Sequence, residues 1–434
     1  MKDKNSKLST EAYRGVRDFF PADMFIQNYI FSTLKKIVEG YGYLEYNASV
    51  LEPADLYKQK SGDEIVNEQT YTFKDRGDRE VTLRPEMTPT LARMISAKRR
   101  ELPLPIRWYS IPNLFRYENP QRGRVREHWQ LNVDIFGVKT IEAETEVISV
   151  ASDIMHAFGL KDTDFEIRLN SRKVINFILN EAFGLNADEA YRVAKLIDRK
   201  NKMPAEEFTA EINKIMPDAG NDFLTIINSK NFSDLTENLK GGEALKPVLA
   251  EISDLLGNLE KLGITNVIFD QTIMRGFDYY TGIVFEVYDK NPQNKRAVFG
   301  GGRYDDLLDI FGSEKIHAVG FGMGDVVLRD LMETYGTLPA YDSGIRVAIC
   351  LADKSALDFA RDLAQKIREA GLKVILDLTD KKLGDQIKAA DKAGVPNVIC
   401  LGQNEVETGK FKIKKLSTGL ETEVDEATLV KNLK

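Results

Sequence analysis

The stretch that most constrains the fold is residues 115–137, FRYENPQRGRVREHWQLNVDIFG. Residues 108–116 and 128–136 are rich in aromatic and β-branched side chains, whereas Pro120 and Gly123 interrupt the segment between them. This pattern predicts two antiparallel strands joined by a long loop. The loop and its flanks carry Arg116, Arg122, Arg124 and Arg126.

Four guanidinium groups within eleven residues need anionic partners. Arginine offers a fork of donors that fits phosphate oxygens, so side chains leaving neighbouring strands at Arg116 and Arg124 suit a triphosphate held from two directions. The alternative is a solvent-exposed hairpin held by salt bridges, because Glu118 and Glu127 are close in the sequence. Composition does not separate these two interpretations.

The bulk numbers bound the class of protein. A chain of 434 residues is long enough for two or three domains that each bury a core. The net charge is −7, so a polyanionic partner such as RNA has to be held by local basic patches against a weakly repelling field.

Cysteine and histidine usage excludes several kinds of site. Cys350 and Cys400 each close an apolar run, which predicts buried strand positions in a reducing compartment and supplies no zinc ligand set. Three histidines in the whole chain argue against a histidine-rich metal site. The first ten residues are polar, and no run approaches the roughly 20 apolar residues of a membrane span. We therefore expect a cytoplasmic protein that does not contact a membrane.

The first part of the chain predicts a helix at 25–39, ended by glycines, and a strand at 43–51. A hairpin at 70–83 then leads to Glu86 and Thr88 just before a helix. A carboxylate and a hydroxyl in that place suit an ammonium group, although Thr88 is also a good helix cap.

The second part changes character. Residues 161–263 show helical patterns without recognisable chemistry, and their basic positions suit either an RNA backbone or a solvated helix face. A glycine-rich strand turning into a helix is predicted at 318–332. From residue 344 strands alternate with helices, which is typical of a parallel α/β domain. This last segment carries 16 Lys and Arg against 14 Asp and Glu, a local shift toward positive charge.

Several of these segments resemble one family. Arg116-x-Glu118, a loop and then Arg124-x-x-x-His128 resembles motif 2 of the class II aminoacyl-tRNA synthetases. RGFDYY at 275–280 and GGRYD at 301–305 resemble the two signatures of histidyl-tRNA synthetases. The segments 25–53, 318–332 and 344–434 resemble motif 1, motif 3 and the anticodon-binding domain of class IIa synthetases.

The resemblance implies an α/β fold: an α+β catalytic domain with an antiparallel sheet flanked by helices, and a C-terminal α/β anticodon-binding-like domain with a mainly parallel sheet. The expected domains are the first part of the catalytic domain at 1–160, a helical insertion at 161–263, the second part of the catalytic domain at 264–335, a linker at 336–343 and the anticodon-binding domain at 344–434.

The resemblance also implies an activity. A histidine–tRNA ligase activates histidine with ATP to histidyl-adenylate and pyrophosphate, and then transfers histidine to the 3′-terminal adenosine of tRNA(His). Mg2+ accompanies ATP, and a homodimer forms through motif 1. No side-chain general base is needed, because a carboxylate is already a nucleophile at neutral pH.

The roles implied by the resemblance fall on these residues. The residues expected at the reacting phosphate are Arg116 and Arg275, with Arg275 doing what a metal ion does in related enzymes. The residues expected to bind ATP are Arg116, Glu118, Arg124 and His128. The residues expected to bind histidine are Glu86, Thr88, Gln130, Asp134, Tyr279, Tyr280 and Tyr304. The residue expected at the tRNA acceptor end is Gln121.

The sequence departs from the family pattern at three of these places. Val327 replaces the motif 3 arginine, and Arg329, two residues later, is expected to point to the opposite side of the helix. His128 stands where phenylalanine commonly stacks on adenine, and Asp134 where some members have glutamate.

Two alternatives remain. One is a catalytically silent paralogue that binds histidine, like the regulatory subunit of ATP phosphoribosyltransferase, which Val327 favours. Such regulators typically lack the C-terminal domain and lose the motif 2 arginines, and this chain has both. The other is a synthetase for proline, threonine or glycine, which is not expected to carry RGFDYY with GGRYD.

Overall fold

The computed structural model describes residues 8–58, 69–200, 203–239, 243, 245–274, 280–292, 294 and 297–433. The chain divides into two compact units. The larger unit comprises Met1–Asp18 and Ile30–Leu338, and the smaller comprises Phe19–Tyr29 and Pro339–Lys434.

Among the described residues, nine strands form a large mixed sheet in the larger unit and three form a small sheet. In chain order the strands are β1 (Leu44–Glu45), β2 (Leu51–Pro53), β3 (Tyr71–Lys74), β4 (Glu80–Leu83), β5 (Ile106–Ser110), β6 (Asn113–Phe115), β7 (Glu127–Phe136), β8 (Phe165–Ser171), β9 (Val267–Phe269), β10 (Ile283–Asp289), β11 (Ala297–Arg303) and β12 (Ala318–Gly324). The large sheet has the order β1-β5-β7-β12-β11-β10-β8-β9, with β6 beside β7. Its two outermost pairs, β1 with β5 and β8 with β9, are parallel and the remaining pairs are antiparallel.

The predicted strands around the arginine loop are confirmed. β5 and β6 both pair antiparallel with β7, which lies inside the large sheet. The predicted strand at 108–116 is interrupted at Pro112, because proline has no N–H to contribute to a ladder. The carbonyl of Pro112 still accepts the backbone N–H of Gln130 at 3.1 Å, so the two segments stay in line along β7.

Helices cover the sheet of the larger unit, as the α+β expectation requires. In the described part of the chain before residue 339 the α-helices are α1 (Pro21–Gly40), α2 (Asp55–Lys58), α3 (Thr88–Lys98), α4 (Glu142–Ala157), α5 (Arg172–Asn176), α6 (Ala187–Arg199), α7 (Ala205–Ile215), α8 (Gly220–Ile227), α9 (Phe232–Asn238), α10 (Lys246–Lys261) and α11 (Asp325–Tyr335). The predicted helix at 25–39 is confirmed and begins earlier, at Pro21, because proline suits the first turn of a helix. The helical patterns of 161–263 are found as α5 to α10, with a π-helical turn at Phe177–Ala182.

The predicted strand at 43–51 is wrong. The chain instead forms β1, which pairs with β5 in the large sheet, and β2, which pairs with β4 in the small sheet. Between them the backbone N–H of Ala48 donates to the side chain of Asn47 at 2.8 Å, and the carbonyl of Ala48 accepts a bond of the same length from buried Arg84. These local bonds replace a ladder, so the chain changes sheets at this point.

The smaller unit has its own sheet and core. Its strands are β13 (Ile345–Leu351), β14 (Lys373–Leu376), β15 (Asn397–Leu401), β16 (Lys410–Lys415) and β17 (Glu421–Asp425), and its helices are α12 (Leu357–Glu369), α13 (Leu383–Lys392), α14 (Gln403–Thr408) and α15 (Glu426–Leu433). The order is β14-β13-β15-β16-β17. The first three strands are parallel, as predicted, and the last two add an antiparallel hairpin that the helix and strand alternation did not reveal. Cys350 is buried in this sheet, as expected, whereas Cys400 is only half-buried.

Candidate active site

The site is organised along β7, on which alternate residues share one face. His128, Gln130 and Asp134 lie on the same face, which puts a predicted nucleotide residue and two predicted histidine-binding residues in one row. The neighbouring strand β12 places glycines beside this row, with Gly320 opposite Asp134 and Gly324 opposite Gln130.

Asp134 and Tyr304 form the buried end of the row. The hydroxyl of Tyr304 donates to Oδ1 of Asp134, and the two residues are 2% and 4% exposed, respectively. A Cβ added to Gly320 would lie 2.4 Å from the same oxygen, so a side chain there is excluded. Burial raises the pKa of Asp134 to about 7, although the hydrogen bond from Tyr304 opposes the rise. Near neutral pH this carboxyl group is therefore present in both protonation states.

Tyr280 is brought to the same end. Tyr304 and Met87 belong to one buried hydrophobic cluster, and Tyr280 packs against that cluster. The ring of Tyr280 also lies beside Gly302, where an added Cβ would be 3.0 Å from Cδ1. The structure thus joins Tyr280 and Tyr304 from sequence-distant segments in the neighbourhood of Asp134.

Glu86 and Thr88 flank Met87, whose side chain is fully buried in that cluster. Both residues are half-buried. Thr88 is the first residue of α3, and the N-cap position is occupied by Met87 without a side-chain hydrogen bond. The capping interpretation of Thr88 is therefore wrong, because the helix begins at Thr88 itself and not after it.

Arg116 links this region to the arginine loop. Its Nε donates to the carbonyl of Pro85 at 2.9 Å, next to Glu86 in the chain. Burial, followed by the positive charges of Arg116 and Arg17, lowers the pKa of His128 to about 3. His128 is thus a neutral imidazole with a flat face at physiological pH.

The loop itself is open to solvent. Gln121 and Arg124 exchange two backbone hydrogen bonds, of 3.1 and 2.8 Å, which close the loop. Nε of Arg124 lies 3.6 Å from a carboxylate oxygen of Glu118, and Nε of Arg122 lies 3.2 Å from one of Asp330. The side chains of Arg124 and Arg122 are 55% and 75% exposed, so these ion pairs are weak. An incoming polyanion can replace their carboxylates.

Arg126 does not need an anion, contrary to the sequence interpretation of the four arginines. It is buried, and its guanidinium carbon lies 3.8 Å from the ring centre of Tyr117. Nη1 donates to the hydroxyl of Tyr13 at 3.0 Å, and Nε donates to the carbonyl of Glu118 at 3.1 Å. Neutral oxygens and an aromatic face satisfy this cation, which holds the loop in place.

The helix that follows β12, α11, faces the arginine loop at Val327, where the sequence departs from the family pattern. Val327 on α11 lies 3.9 Å from the position that a Cβ on Gly123 would take. Nε of Arg329 donates to Glu333 at 3.2 Å on the same helix. Arg329, two residues beyond Val327, is thus engaged along its own helix.

Comparison with known proteins assigns the chain to a family. A family model described as histidyl-tRNA synthetase matches residues 15–325, and a model of the anticodon binding domain matches residues 346–434. The chain belongs to the histidyl-tRNA synthetase family. A relative from Leptospira biflexa named histidine–tRNA ligase is 42% identical over 96% of this chain and 95% of its own length.

Solved structures agree with this synthetase fold. A crystal structure of histidyl-tRNA synthetase from Nostoc sp. PCC 7120 covers 98% of this chain and 99% of that chain, with a TM-score of 0.83 at 23% identity. A crystal structure from Bacillus halodurans, described as an ATP phosphoribosyltransferase regulatory subunit/histidyl-tRNA synthetase, covers 91% of this chain and 99% of that chain, with a TM-score of 0.76 at 25% identity.

Two residues of this histidyl-tRNA synthetase family chain were missed by the sequence analysis. Nη2 of Arg17 donates to Oδ2 of Asp325 at 2.8 Å, and Oδ1 of Asp325 accepts the backbone N–H of Trp129 at 2.9 Å. Asp325 is buried, so it ties the N-terminal segment, α11 and β7 together. A signal was available, because a carboxylate directly after a glycine-rich strand needs a donor when it is buried.

Some expectations fall outside what the structure describes. Arg275 and Tyr279 lie outside the described residues. Within the described part of the chain, no three His, Cys, Asp or Glu residues cluster as a metal site. Likewise, none of the helices among the described residues is long and apolar enough to cross a membrane.

Proposed function

We infer that this protein catalyses the histidine–tRNA ligase reaction, forming histidyl-adenylate and pyrophosphate from histidine and ATP and then charging the 3′-terminal adenosine of tRNA(His). The buried hydrogen-bonded pair of Asp134 and Tyr304, on the strand that leads from the arginine loop, carries this inference. In this proposal Asp134 is the partner for an imidazole N–H, and the arginines at the other end of the strand bind the phosphates.

Histidine recognition requires polar partners for both ring nitrogens, because a residue of similar size must be rejected. Asp134 and Tyr280 take this role, and Tyr304 closes the pocket by holding one carboxylate oxygen. The α-amino group is bound by Glu86, Thr88 and Gln130, and Tyr279 completes the set. Shorter Asp134, in place of glutamate, is oriented by Tyr304 from the neighbouring segment.

Activation brings two anions together, the carboxylate of histidine and the α-phosphate of ATP. Arg116 stabilises the charge that develops on the α-phosphate, and Arg275 stabilises it from the other side. Arg124 binds the outer phosphates and Glu118 orients Arg124, to which it is paired. Mg2+ enters with ATP and leaves with pyrophosphate.

The remaining contacts follow from the same arrangement. Neutral His128 stacks on adenine, because stacking removes the apolar faces of the imidazole and the adenine from water. Gln121, at the exposed turn of the loop, contacts the acceptor end of the tRNA. The protein acts as a cytoplasmic homodimer that associates through motif 1.

We propose the same division of labour along the chain as the sequence predicted. Residues 1–160 and 264–335 form the catalytic domain, 336–343 a linker and 344–434 the anticodon-binding domain. Residues 161–263 form the insertion, except that β8 belongs to the large sheet of the catalytic part, where it pairs with β10. The match of residues 346–434 to an anticodon-binding model supports the last assignment.

A second candidate is a histidine-binding regulatory paralogue, which Val327 and the similarity to the Bacillus halodurans protein favour. Retention of Arg116 and Arg124, together with the anticodon-binding match, supports the enzyme instead.

The deciding experiment is ATP–pyrophosphate exchange with the purified protein across all twenty amino acids, followed by charging of tRNA(His). Exchange that depends on histidine supports the ligase. Tight histidine binding without exchange would establish the regulator, and exchange with another amino acid would move the specificity.

A further inference from the structure

Three tyrosine rings pack together around the buried cation of Arg126, beside the arginine loop. The guanidinium carbon of Arg126 lies 3.8 Å from the ring centre of Tyr117 and 5.5 Å from that of Tyr13. Tyr71 meets Tyr117 edge to face, with the ring centres 5.6 Å apart. We call Tyr13, Tyr71 and Tyr117 the tyrosine cluster. Its rings come from the N-terminal segment, from β3 and from the loop.

Hydrogen bonds hold the tyrosine cluster in place. Nη1 of Arg126 donates to the hydroxyl of Tyr13 at 3.0 Å, and the backbone N–H of Tyr117 donates to the carbonyl of Gln69 at 2.8 Å. The backbone N–H of Arg126 donates to the carbonyl of Gly15 at 2.6 Å. A Cβ added to Gly15 would lie 2.8 Å from Cγ of Arg126, so the N-terminal segment packs directly on this arginine. The rings are therefore ordered before a ligand arrives, which lowers the cost of binding one.

Two rings of the cluster are nevertheless open to solvent. Tyr117 and Tyr13 are 50% and 57% exposed. An exposed aromatic ring backed by a guanidinium is a surface on which unpaired RNA bases stack. The exposed side chains of Arg122, Arg124 and Arg14 lie on the same loop or next to Tyr13 in the chain. They supply the local positive charge that a protein of net charge −7 needs to hold RNA.

Sheet register places the cluster beside the residue proposed to bind the α-phosphate. The pair of Phe115 with Glu127 is followed by Arg116, whose backbone N–H donates to the carbonyl of Arg126 at 3.0 Å. Arg116 and Arg126 are therefore opposite each other in the continued antiparallel register. The terminal ribose of a tRNA has to reach the histidyl group next to this phosphate, so the unpaired nucleotides that precede the ribose lie close to the loop.

We propose that the tyrosine cluster is a stacking platform for the unpaired 3′ nucleotides of tRNA(His), with one base on the exposed ring of Tyr117. This inference rests on the proposed charging of tRNA(His) and names the surface that holds the end of the RNA. Every base offers an aromatic face, so the platform supplies affinity rather than a choice between bases.

The test combines a change in the protein with a change in the RNA. Kd is measured at one salt concentration for intact tRNA(His) and for tRNA(His) that lacks its unpaired 3′ nucleotides. The ratio of the two Kd values reports what the 3′ end contributes to binding, and in the wild type it should be about 10 or more. Loss of one stacked base predicts that Tyr117→Ala lowers this ratio about 10-fold. Tyr117→Phe keeps the ring and should leave the ratio within about threefold of the wild-type value.

Two further variants complete the test. Tyr13→Ala changes the N-terminal segment rather than the loop, should also lower the ratio, and decides the question if Tyr117→Ala does not fold. A matched control is Tyr341→Ala, which removes a ring of similar exposure, 51%, from the proposed linker and should leave the ratio unchanged.

The same ratio in the wild type, Tyr117→Ala and Tyr13→Ala would overturn the inference. So would an equal fall in Tyr117→Ala and Tyr117→Phe, because a phenyl ring can still stack. Histidine-dependent exchange separates this inference from the proposed function. If the wild-type protein shows no exchange, the ligase proposal fails, whereas the ratio of Kd values still decides whether the tyrosine cluster binds an unpaired RNA end.

Discussion

The two ends of β7 differ in burial. Near its carboxyl end Asp134 is 4% exposed and accepts a hydrogen bond from Tyr304. Its amino end follows the arginine loop, on which the side chains of Arg122 and Arg124 are 75% and 55% exposed. The first end is held by sheet register and by glycines that admit no other side chain. At the second end buried Arg126 and backbone hydrogen bonds hold the loop, whereas Arg122 and Arg124 point into water, where each ion pair contributes about 0–1 kcal/mol.

The difference matches the two substrates that we propose for these ends. A site can reject a side chain of similar size when its own buried polar groups lose their partners on binding the wrong ligand. Such polar groups must be held rigidly before the ligand arrives. A triphosphate is recognised by charge, and its cations can be rearranged from weak pairs when it arrives. One strand therefore combines a rigid end with an adaptable one.

The largest expected effect tests whether the cationic end performs the chemistry. Replacing Arg116 by alanine removes the donor that we propose for the reacting phosphate, so exchange should fall by about a thousandfold or more. Steady-state exchange at saturating ATP measures this loss. Exchange within tenfold of wild type would show that Arg116 only holds the carbonyl of Pro85.

The second prediction concerns the rigid end. Asp134→Asn should lower kcat/KM for histidine about 100-fold and leave KM for ATP nearly unchanged, because only the imidazole contact is altered. The pKa of Asp134 is raised to about 7, so its acceptor carboxylate becomes populated as the pH rises through that value. In wild type, kcat/KM for histidine should rise across pH 7.

The asparagine variant separates this titration from that of free histidine, which ionises in the same range. Both proteins experience the substrate titration, whereas the wild type alone has the carboxyl group. Identical pH profiles for the two proteins would remove Asp134 from the imidazole contact.

The third prediction uses stability rather than activity. The pKa of His128 is lowered to about 3, below its value of about 6.5 in an unfolded chain, so protons favour the unfolded state. The stability contributed by the neutral imidazole is lost as the pH falls below about 6.5. When the pH is lowered from 7 to 4.5, the free energy of unfolding of His128→Phe should therefore fall by about 2 kcal/mol less than that of the wild type.

Urea unfolding at the two pH values measures this difference. The phenylalanine variant should keep KM for ATP within about threefold at pH 7.5, because either ring offers a flat face. Equal acid sensitivity in both proteins would mean that His128 is not buried beside Arg116 and Arg17.

The smallest expected effect lies at the exposed end. Asp330→Ala breaks the ion pair with Arg122, whose side chain is 75% exposed. KM for ATP should therefore change by less than about threefold, and the free energy of unfolding by less than about 1 kcal/mol. Exchange and urea unfolding at 150 mM salt measure both. A tenfold effect would show that this ion pair sets the loop geometry and that the adaptable end is rigid after all.

The sequence predicted the strands flanking the loop, because alternating patterns are local. The family resemblance singled out both Tyr280 and Tyr304, and the structure brings these two residues to one hydrophobic cluster. It did not reveal the split of 43–51 between two sheets, since an apolar pattern does not say which strand will pair with it. It also treated Arg126 like the other loop arginines, although aromatic rings and carbonyl oxygens satisfy it.

By itself, the sequence determined the family, the order of the motifs and the residues available for binding ATP and histidine. Tertiary structure decided which arginines are buried and stabilise the fold and which are exposed to solvent, as Arg126 and Arg124 show. The physical reason is that charge and hydrogen-bonding capacity are properties of a residue, whereas burial and the choice of partner depend on segments far away in the chain. Arg17 and Asp325 are 308 positions apart in the chain, so no local sequence pattern predicts the hydrogen bond between them.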